Sequence, residues 1–474
     1  MNLSLTAGTS ATTFISLPLE FYLPAHALSE DLKSLIDKLI QLKQVPPTEP
    51  IVQLSLITVS IPLISWLASQ HQYPRIYWHG RDKIEEVAAI GACKDFKFET
   101  GVDDKTLANV YEQQRTLSSN PEIRYYGGVA FDRSIESWPE FGNSRFVLPR
   151  IEFRRSDNQF SLRVNLNFAD STPEEEINRA IAAIEAVMPA RPLAPPNKLT
   201  LLSRNDTPDF PRWKTLVEQV VDLKFNQETP KVVLSRHTEL EVNAQVDPWM
   251  VLACWQGRNP NSFQFGFQFS PDRTYISCSP ERLFRRRQQE LFTEALAGTT
   301  VRGLNQEEDT ALANALLEDN KNSVENQLVR RHIVSMLSPL SQHVGAEEAA
   351  TIFKLNHIQH LHRAIRAELK QGVNDFQLLQ ALHPTPAVGG LPRQSAMNFI
   401  REREGYMRGW YAGACGYFNK YESEFSVAIR SALIEPGKIN LFAGAGIIAG
   451  SDPEAEWQEL ENKLATIMSI LIEL

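Results

Sequence analysis

GAGIIAGSDPEAEWQELENK, residues 444–463, joins a strand-like run to a helix that carries three ionisable groups on one face. Ile439 to Ala443 reads as a strand, small residues follow it, and a helix spans Pro453 to Leu471. On that helix Glu456, Glu459 and Lys463 stand at i, i+3 and i+7, within roughly 60° of the circumference. Trp457, Leu460, Leu464, Ile467 and Leu471 form the apolar stripe beside them. A carboxylate row bordering a buried stripe can face a cleft and offer oxygen ligands to a hard cation such as Mg²⁺. The competing reading is a solvated face with a Glu459–Lys463 pair worth a few tenths of a kcal/mol, and on spacing alone it is the commoner one.

Gly444-Ala445-Gly446 would let backbone N–H groups approach an anion closely. Gly298-Thr299 and Gly389-Gly390 offer the same, although each alone is more often a tight turn. Their spacing matches neither GxGxxG nor GxxxxGK[ST], which disfavours nucleotide phosphates.

Upstream, a helix from Asp209 to Leu223 leads into a strand from Lys231 to Leu240. Strands are expected at Ser262 to Gln268, Thr274 to Ser277, Gly413 to Phe418 and Glu424 to Leu433, with helices at Asp309 to Leu317 and Ser323 to Leu337. Lys231 opens an apolar run; it either snorkels to solvent or, in a cleft, is desolvated toward a neutral amine that can act as a base. Glu281 follows Ser279-Pro280, where partial burial would keep its carboxyl protonated; a first-turn helix acid is the plainer alternative. His360 lies among His357 and His362 without HExxH spacing and reads as a structural histidine.

The N-terminal part is patterned but carries no compact chemical motif. Ser29 to Leu42 is an amphipathic helix, and Tyr73 to Gly80 and Arg145 to Asn167 are strand-like. Ser171, Thr172 and Glu174 form a capping-box pattern before a helix to Met188. Pro189 to Asn197, with Pro192, Pro195 and Pro196, is the best linker. Ile51 to Ser69 lacks charge, but its alternation to Val59 and its Pro62 favour strand, turn and helix over a membrane span.

Composition narrows the class. The 474 residues hold 48 Lys+Arg against 57 Asp+Glu, and this acidic balance argues against a nucleic-acid binder. With 43% hydrophobic residues the chain can bury a core and is not disordered. Cys93, Cys254, Cys278 and Cys415 form no CxxC pair and suit reduced thiols in a cytoplasmic protein. Met1 to Thr13 carries no Lys or Arg and no cleavage pattern, so no secretory signal is expected.

Taken in order, eight segments resemble the chorismate-utilising enzymes. They are KVVLSR (231–236), SPERLF (279–284), TEALAGT (293–299), KNSVEN (321–326), HPTPAVGG (383–390), YAGACGYF (411–418), VAIRSA (427–432) and the 444–463 stretch. Any one is weak; the ordered set is specific and covers Asp209 to Leu474. Within the family the chain is most similar to isochorismate synthases. Anthranilate synthases carry Gln where Lys231 stands, and aminodeoxychorismate synthases carry a nucleophilic Lys where this chain has Ala297. YPRIYWHGRDKIEEVAAIGACKDF (73–96) resembles the menaquinone-pathway type. The siderophore-pathway type and the pyruvate-releasing salicylate synthases are the alternatives.

The resemblance implies an α+β chorismate-binding fold like that of anthranilate synthase component I, two sheets packed between flanking helices. Residues 1–200 would be its variable N-terminal part and 201–474 its catalytic region. It implies Lys231 as general base, Glu281 as general acid, and Mg²⁺ on Glu325 and Glu459 with Glu456 in support. Gly298, Thr299, His360, Tyr411, Arg430, Gly444, Gly446 and Lys463 would bind the substrate. Chorismate is the expected small-molecule partner, with no nucleic acid, membrane or glutaminase subunit.

Overall fold

The computed structural model describes residues 25–45, 47–100, 104–193, 199–355 and 358–473. Among these, twenty strands form one hydrogen-bonded network whose pairings are antiparallel. It is rooted on the long strand Ser144–Ser156. One edge of that strand pairs with Glu85–Phe98. The other edge pairs with Gln159–Asn167 at one end and Tyr125–Val129 at the other. Two sheets grow from these opposite edges.

The first sheet runs from Glu85–Phe98 through Arg75–His79, Phe263–Ser270, Arg273–Ser279, Ser431–Glu435 and Lys438–Ile448 to Lys231–Val242. The second runs from Tyr125–Val129 through Ala414–Phe418, Glu422–Val427, Arg282–Arg287 and Glu290–Val301 to Ile358–Leu369. Aromatic side chains fill the space between them. Trp78 of the first sheet meets Tyr417 of the second edge-on at 5.9 Å. Trp410 is fully buried against Phe141, Phe267 and Phe269, and its indole N–H donates to Gly142 O at 3.0 Å. Helices cover the outer faces: Pro453–Glu473 lies on Lys438–Ile448, and Asn320–Leu337 lies on Glu290–Val301. This is the expected α+β architecture.

Strands from both sides of residue 200 pair directly, as Arg75–His79 does with Phe263–Ser270. Residues 194–198 of the proline-rich linker, Met1–Thr13 and His357 lie outside the described residues. The uncharged Ile51–Ser69 stretch is the strand Ile51–Thr58 and the helix Leu63–Ala68, and no described helix is long and apolar enough to cross a membrane. All four cysteines are free thiols.

Three local readings need correction. The capping box before Pro173–Glu185 uses Thr172 and Glu175 rather than Ser171 and Glu174, because Pro173 opens the helix one position later. The run Glu424 to Leu433 is two strands, Glu422–Val427 and Ser431–Glu435. The chain there passes from one sheet to the other, and Arg430 takes φ 49°, which a continuous strand cannot contain. Finally, Gly444 and Gly446 do not follow a strand but lie inside Lys438–Ile448.

The Trp410 cluster should carry much of the stability. Trp410→Ala is expected to cost about 3–5 kcal/mol. Denaturant unfolding monitored by circular dichroism measures it, and a loss below about 1 kcal/mol would contradict this packing.

Candidate active site

Two chain segments bend from one sheet into the other, and each carries a candidate site residue at its bend. Glu281 sits between Arg273–Ser279 and Arg282–Arg287; Arg430 sits between Glu422–Val427 and Ser431–Glu435. The bends are stitched together. Val427 N–H donates to Glu281 O at 3.1 Å and Cys278 N–H donates to Arg430 O at 2.9 Å. The Ser279 and Ser426 hydroxyls add bonds to Val427 O at 2.6 Å and Glu281 O at 2.9 Å.

The stitched bends form one wall of a cleft of about 140 Å³. Its lining includes Glu281, Gly298, Thr299, Glu325, His360, Tyr411, Arg430, Gly444, Gly446, Glu456, Glu459 and Lys463, which brings residues far apart in sequence to one cleft. A larger groove of about 1600 Å³ crosses the outer sheet face, but none of these residues lies in it.

Lys231 stands just behind the cleft wall. It is buried, and its Nζ donates to Glu325 Oε1 at 2.7 Å. Gly446 covers the pair: a Cβ there would lie 3.0 Å from both Lys231 Cε and Glu325 Oε1. Gly444 is equally constrained, since its Cβ would meet Tyr411 Oη at 2.8 Å. The glycines therefore make room for side chains on neighbouring elements. Gly390 at φ 132° does the same for the backbone, with Lys231 O 2.3 Å from where its Cβ would be. Gly389-Gly390 is thus a brace on the lysine strand rather than an anion cradle.

Gly298, at φ 85°, marks a register shift in the pairing of Glu290–Val301 with Ile358–Leu369. The bulge turns Thr299 so that its hydroxyl meets His360 Nδ1 at 2.8 Å. Burial, with Arg430 and Lys463 nearby, pushes His360 down to about 3, so its ring is neutral. Its Nε2 is buried and has no protein partner. Arg430 also lacks a paired carboxylate among the described residues; its Nη1 reaches Lys463 O at 3.4 Å. A half-buried guanidinium that feels Glu459 but is in salt-bridge contact with no carboxylate among the described residues suits an anionic ligand.

The Glu281 carboxyl is pushed up to about 8 by burial and then by the neighbouring Glu294, despite Lys231, Arg81 and a hydrogen bond from Thr385. It is therefore a carboxylic acid able to donate at neutral pH.

Glu325, Glu456 and Glu459 supply oxygen donors from two helices. Lys231 holds the first at 2.7 Å, Lys321 the second at 3.5 Å and Lys463 the third at 2.6 Å. Lys463 also donates to Gly444 O at 2.6 Å. No three metal-ligating side chains converge on one point among the described residues. The donor chemistry nonetheless fits a hard divalent cation: burial and the neighbouring Glu459 push Glu456 up, a repulsion that a cation relieves.

Residues 37–472 match the chorismate binding enzyme family. This chain is a chorismate-binding enzyme. It is 36% identical to isochorismate synthase MenF of Escherichia coli over 454 residues, covering 94% of this chain and 99% of that one. It is 31% identical to the chloroplastic isochorismate synthase of Catharanthus roseus, covering 90% and 82%. The solved menaquinone-specific isochorismate synthase of Escherichia coli superposes with a TM-score of 0.84 at 34% identity, over 94% of this chain and 100% of that one. Anthranilate synthase component I of Streptococcus pneumoniae shares the fold, with a TM-score of 0.69 at 23% identity over 81% and 92%.

Three residues of this chorismate-binding enzyme escaped the sequence reading. Thr385 bonds Glu281, and Arg81 and Glu294 form an ion pair at 2.6 Å beside it. Glu294 did leave a signal, as the charge within the otherwise uncharged and mostly apolar strand segment Leu291 to Ala297. Arg81 left none.

Two outcomes follow from this geometry. Gly446→Ala should lower kcat/KM at least about tenfold while the fold survives, because its methyl displaces Lys231 or Glu325; steady-state kinetics with circular dichroism checks this. Glu281 ordinarily titrates near 4.5, so between there and about 8 the folded protein keeps a proton that the unfolded chain releases. The group therefore costs stability as pH rises through that window. Glu281→Gln should raise Tm at about pH 8.5, with the gain vanishing near pH 4.

Proposed function

We propose that this chain interconverts chorismate and isochorismate, with water adding at C2 as the C4 hydroxyl leaves. The observation that carries the reading is the pairing of a buried Lys231 with a protonated Glu281 around one cleft, where Ala297 supplies no nucleophile. Lys231 accepts the proton of the attacking water, and Glu281 gives its proton to the departing hydroxyl. Each positioned group supplies typically about 10²–10⁴-fold in rate.

Arg430 grips one substrate carboxylate through its guanidinium fork, with Tyr411 and the backbone of Gly444 to Gly446 beside it. His360, neutral and with its Nε2 unpartnered, offers a hydrogen bond to a substrate hydroxyl. Lys463 and the Gly298-Thr299 backbone border the second carboxylate. Glu325, Glu459 and Glu456 would hold Mg²⁺ at that carboxylate, and the ion would supply Lewis-acid stabilisation of developing negative charge, worth roughly several kcal/mol. To accept that proton Lys231 must enter the reaction as the neutral amine, so the ammonium proton it donates to Glu325 Oε1 at 2.7 Å must first be given up.

The similarity to the Escherichia coli menaquinone-specific enzyme supports a place at the start of menaquinone synthesis, in the cytoplasm. Water as nucleophile calls for no glutaminase partner. Salicylate synthase is the second reading, kept by the shared lysine and glutamate, and it differs by releasing pyruvate.

Purified protein with chorismate and Mg²⁺ should give a mixture of both isomers from either side by NMR, with little pyruvate in a coupled lactate dehydrogenase assay. Stoichiometric pyruvate with salicylate would replace this reading by the second. Lys231→Ala should lower kcat by at least about 10²-fold, and near wild-type turnover would remove water activation by this lysine. EDTA should abolish turnover and added Mg²⁺ restore it; Glu459→Gln should raise the Mg²⁺ concentration needed for half-maximal rate.

A further inference from the structure

Glu281 is held in place from behind. Arg81 Nη1 donates to the carbonyl of Pro280 at 2.5 Å, and Glu294 Oε1 accepts from the backbone N–H of Arg282 at 3.1 Å. The two side chains thus grip the residues on either side of Glu281. They also grip each other, through Nη1–Oε1 at 2.6 Å and Nη2–Oε2 at 2.7 Å. Glu294 is completely buried and Arg81 nearly so. Burying such a pair is costly unless its hydrogen bonds are filled. Here they are, because His362 Nε2 also reaches Glu294 Oε2 at 3.2 Å.

We propose that the Arg81–Glu294 pair is a positioning clamp for the general acid: it fixes the backbone at Pro280 and Arg282 and holds a carboxylate of fixed position behind Glu281. This rests on the chorismate–isochorismate reading of the cleft. Neither clamp residue lies among the cleft-lining side chains.

The charges around Glu281 come from several elements. Glu294 on the strand Glu290–Val301 favours the protonated form. Lys231 on the first sheet and Arg81, which follows Arg75–His79, favour the carboxylate. Behind Glu294 stand His362 and Arg282, the latter tied to Glu424 at 2.9 Å. Against the upward push of burial, Arg81, His362 and Arg282 hold Glu294 far below the usual carboxylate range. Glu294 therefore stays negative wherever Glu281 titrates, and the repulsion between the two does not fade on acidification within the working range. Arg81 comes from the N-terminal half of the chain, so the clamp ties that half to the acid.

Infrared difference spectroscopy of the full-length protein, without substrate, tests the clamp directly. The buried carboxylic-acid band that disappears in Glu281→Gln is followed against pH, and in the wild type it should titrate near 8. Glu294→Gln removes the repelling charge and leaves Arg81 uncompensated, so the band should titrate at least about one pH unit lower. Arg81→Met removes the opposing cation and should move it higher. Glu294→Gln should also lower kcat at least about tenfold with KM within about threefold of the wild type. A purely structural pair would change Tm without these opposed shifts. An unmoved titration in folded Glu294→Gln protein overturns the clamp. Where that variant does not fold, an unmoved or lowered titration in Arg81→Met overturns it. Absence of isochorismate from the wild-type protein would instead defeat the reading of the activity, and the band shifts would still decide the clamp.

Discussion

Two backbone hydrogen bonds, Val427 N–H to Glu281 O and Cys278 N–H to Arg430 O, govern the geometry of the cleft. They join the two segments where the chain leaves one sheet for the other, and so fix the backbones of Glu281 and Arg430 relative to each other. Side chains with several rotamers would give a looser separation than backbone groups on paired strands. The hydroxyls of Ser279 and Ser426 tighten the same seam, the first bonding Val427 O and the second adding a bond to Glu281 O. The other candidate residues come from surrounding strands and helices, except Tyr411, which stands in the turn before Ala414–Phe418.

The charges of the cleft are arranged in opposition. Burial and Glu294 keep a carboxyl protonated, while a lysine a short way off is paired with a carboxylate and has its positive charge compensated. Such an arrangement costs stability, because a buried acid that holds its proton past neutrality is disfavoured in the folded state relative to water. The surrounding aromatic core, with Trp78, Trp410 and Tyr275 between the sheets, supplies the apolar burial that offsets it. Function is concentrated where the fold is locally least comfortable, including the left-handed backbone of Arg430.

Much of this was legible in the sequence. The helix carrying Glu456, Glu459 and Lys463, the strand opened by Lys231 and the turn holding Glu281 all follow from periodicity and turn residues. Their convergence did not, since no spacing argument brings Glu325 and Glu459 together from separate helices; the ordered motifs supplied that through resemblance. The bend at Arg430 was invisible because apolar alternation continues on both sides of it. The second demand on Gly444 and Gly446 was hidden for a related reason: the space they leave is filled by Tyr411, Lys231 and Glu325, which are neighbours only in three dimensions. Arg81 was unreadable altogether, for its partner is more than two hundred residues away.

The seam between the bends has a mechanical consequence. It is a line common to both sheets, and the strand Ser144–Ser156 and the aromatic layer join the same two sheets again away from it. Two plates fastened along separate lines resist turning about either. Glu325 and Glu459 stand off the seam, on helices packed on opposite sheets. Glu281 and Arg430 thus share one backbone gauge, whereas the gap between the two outer carboxylates is set by how two separate helices seat.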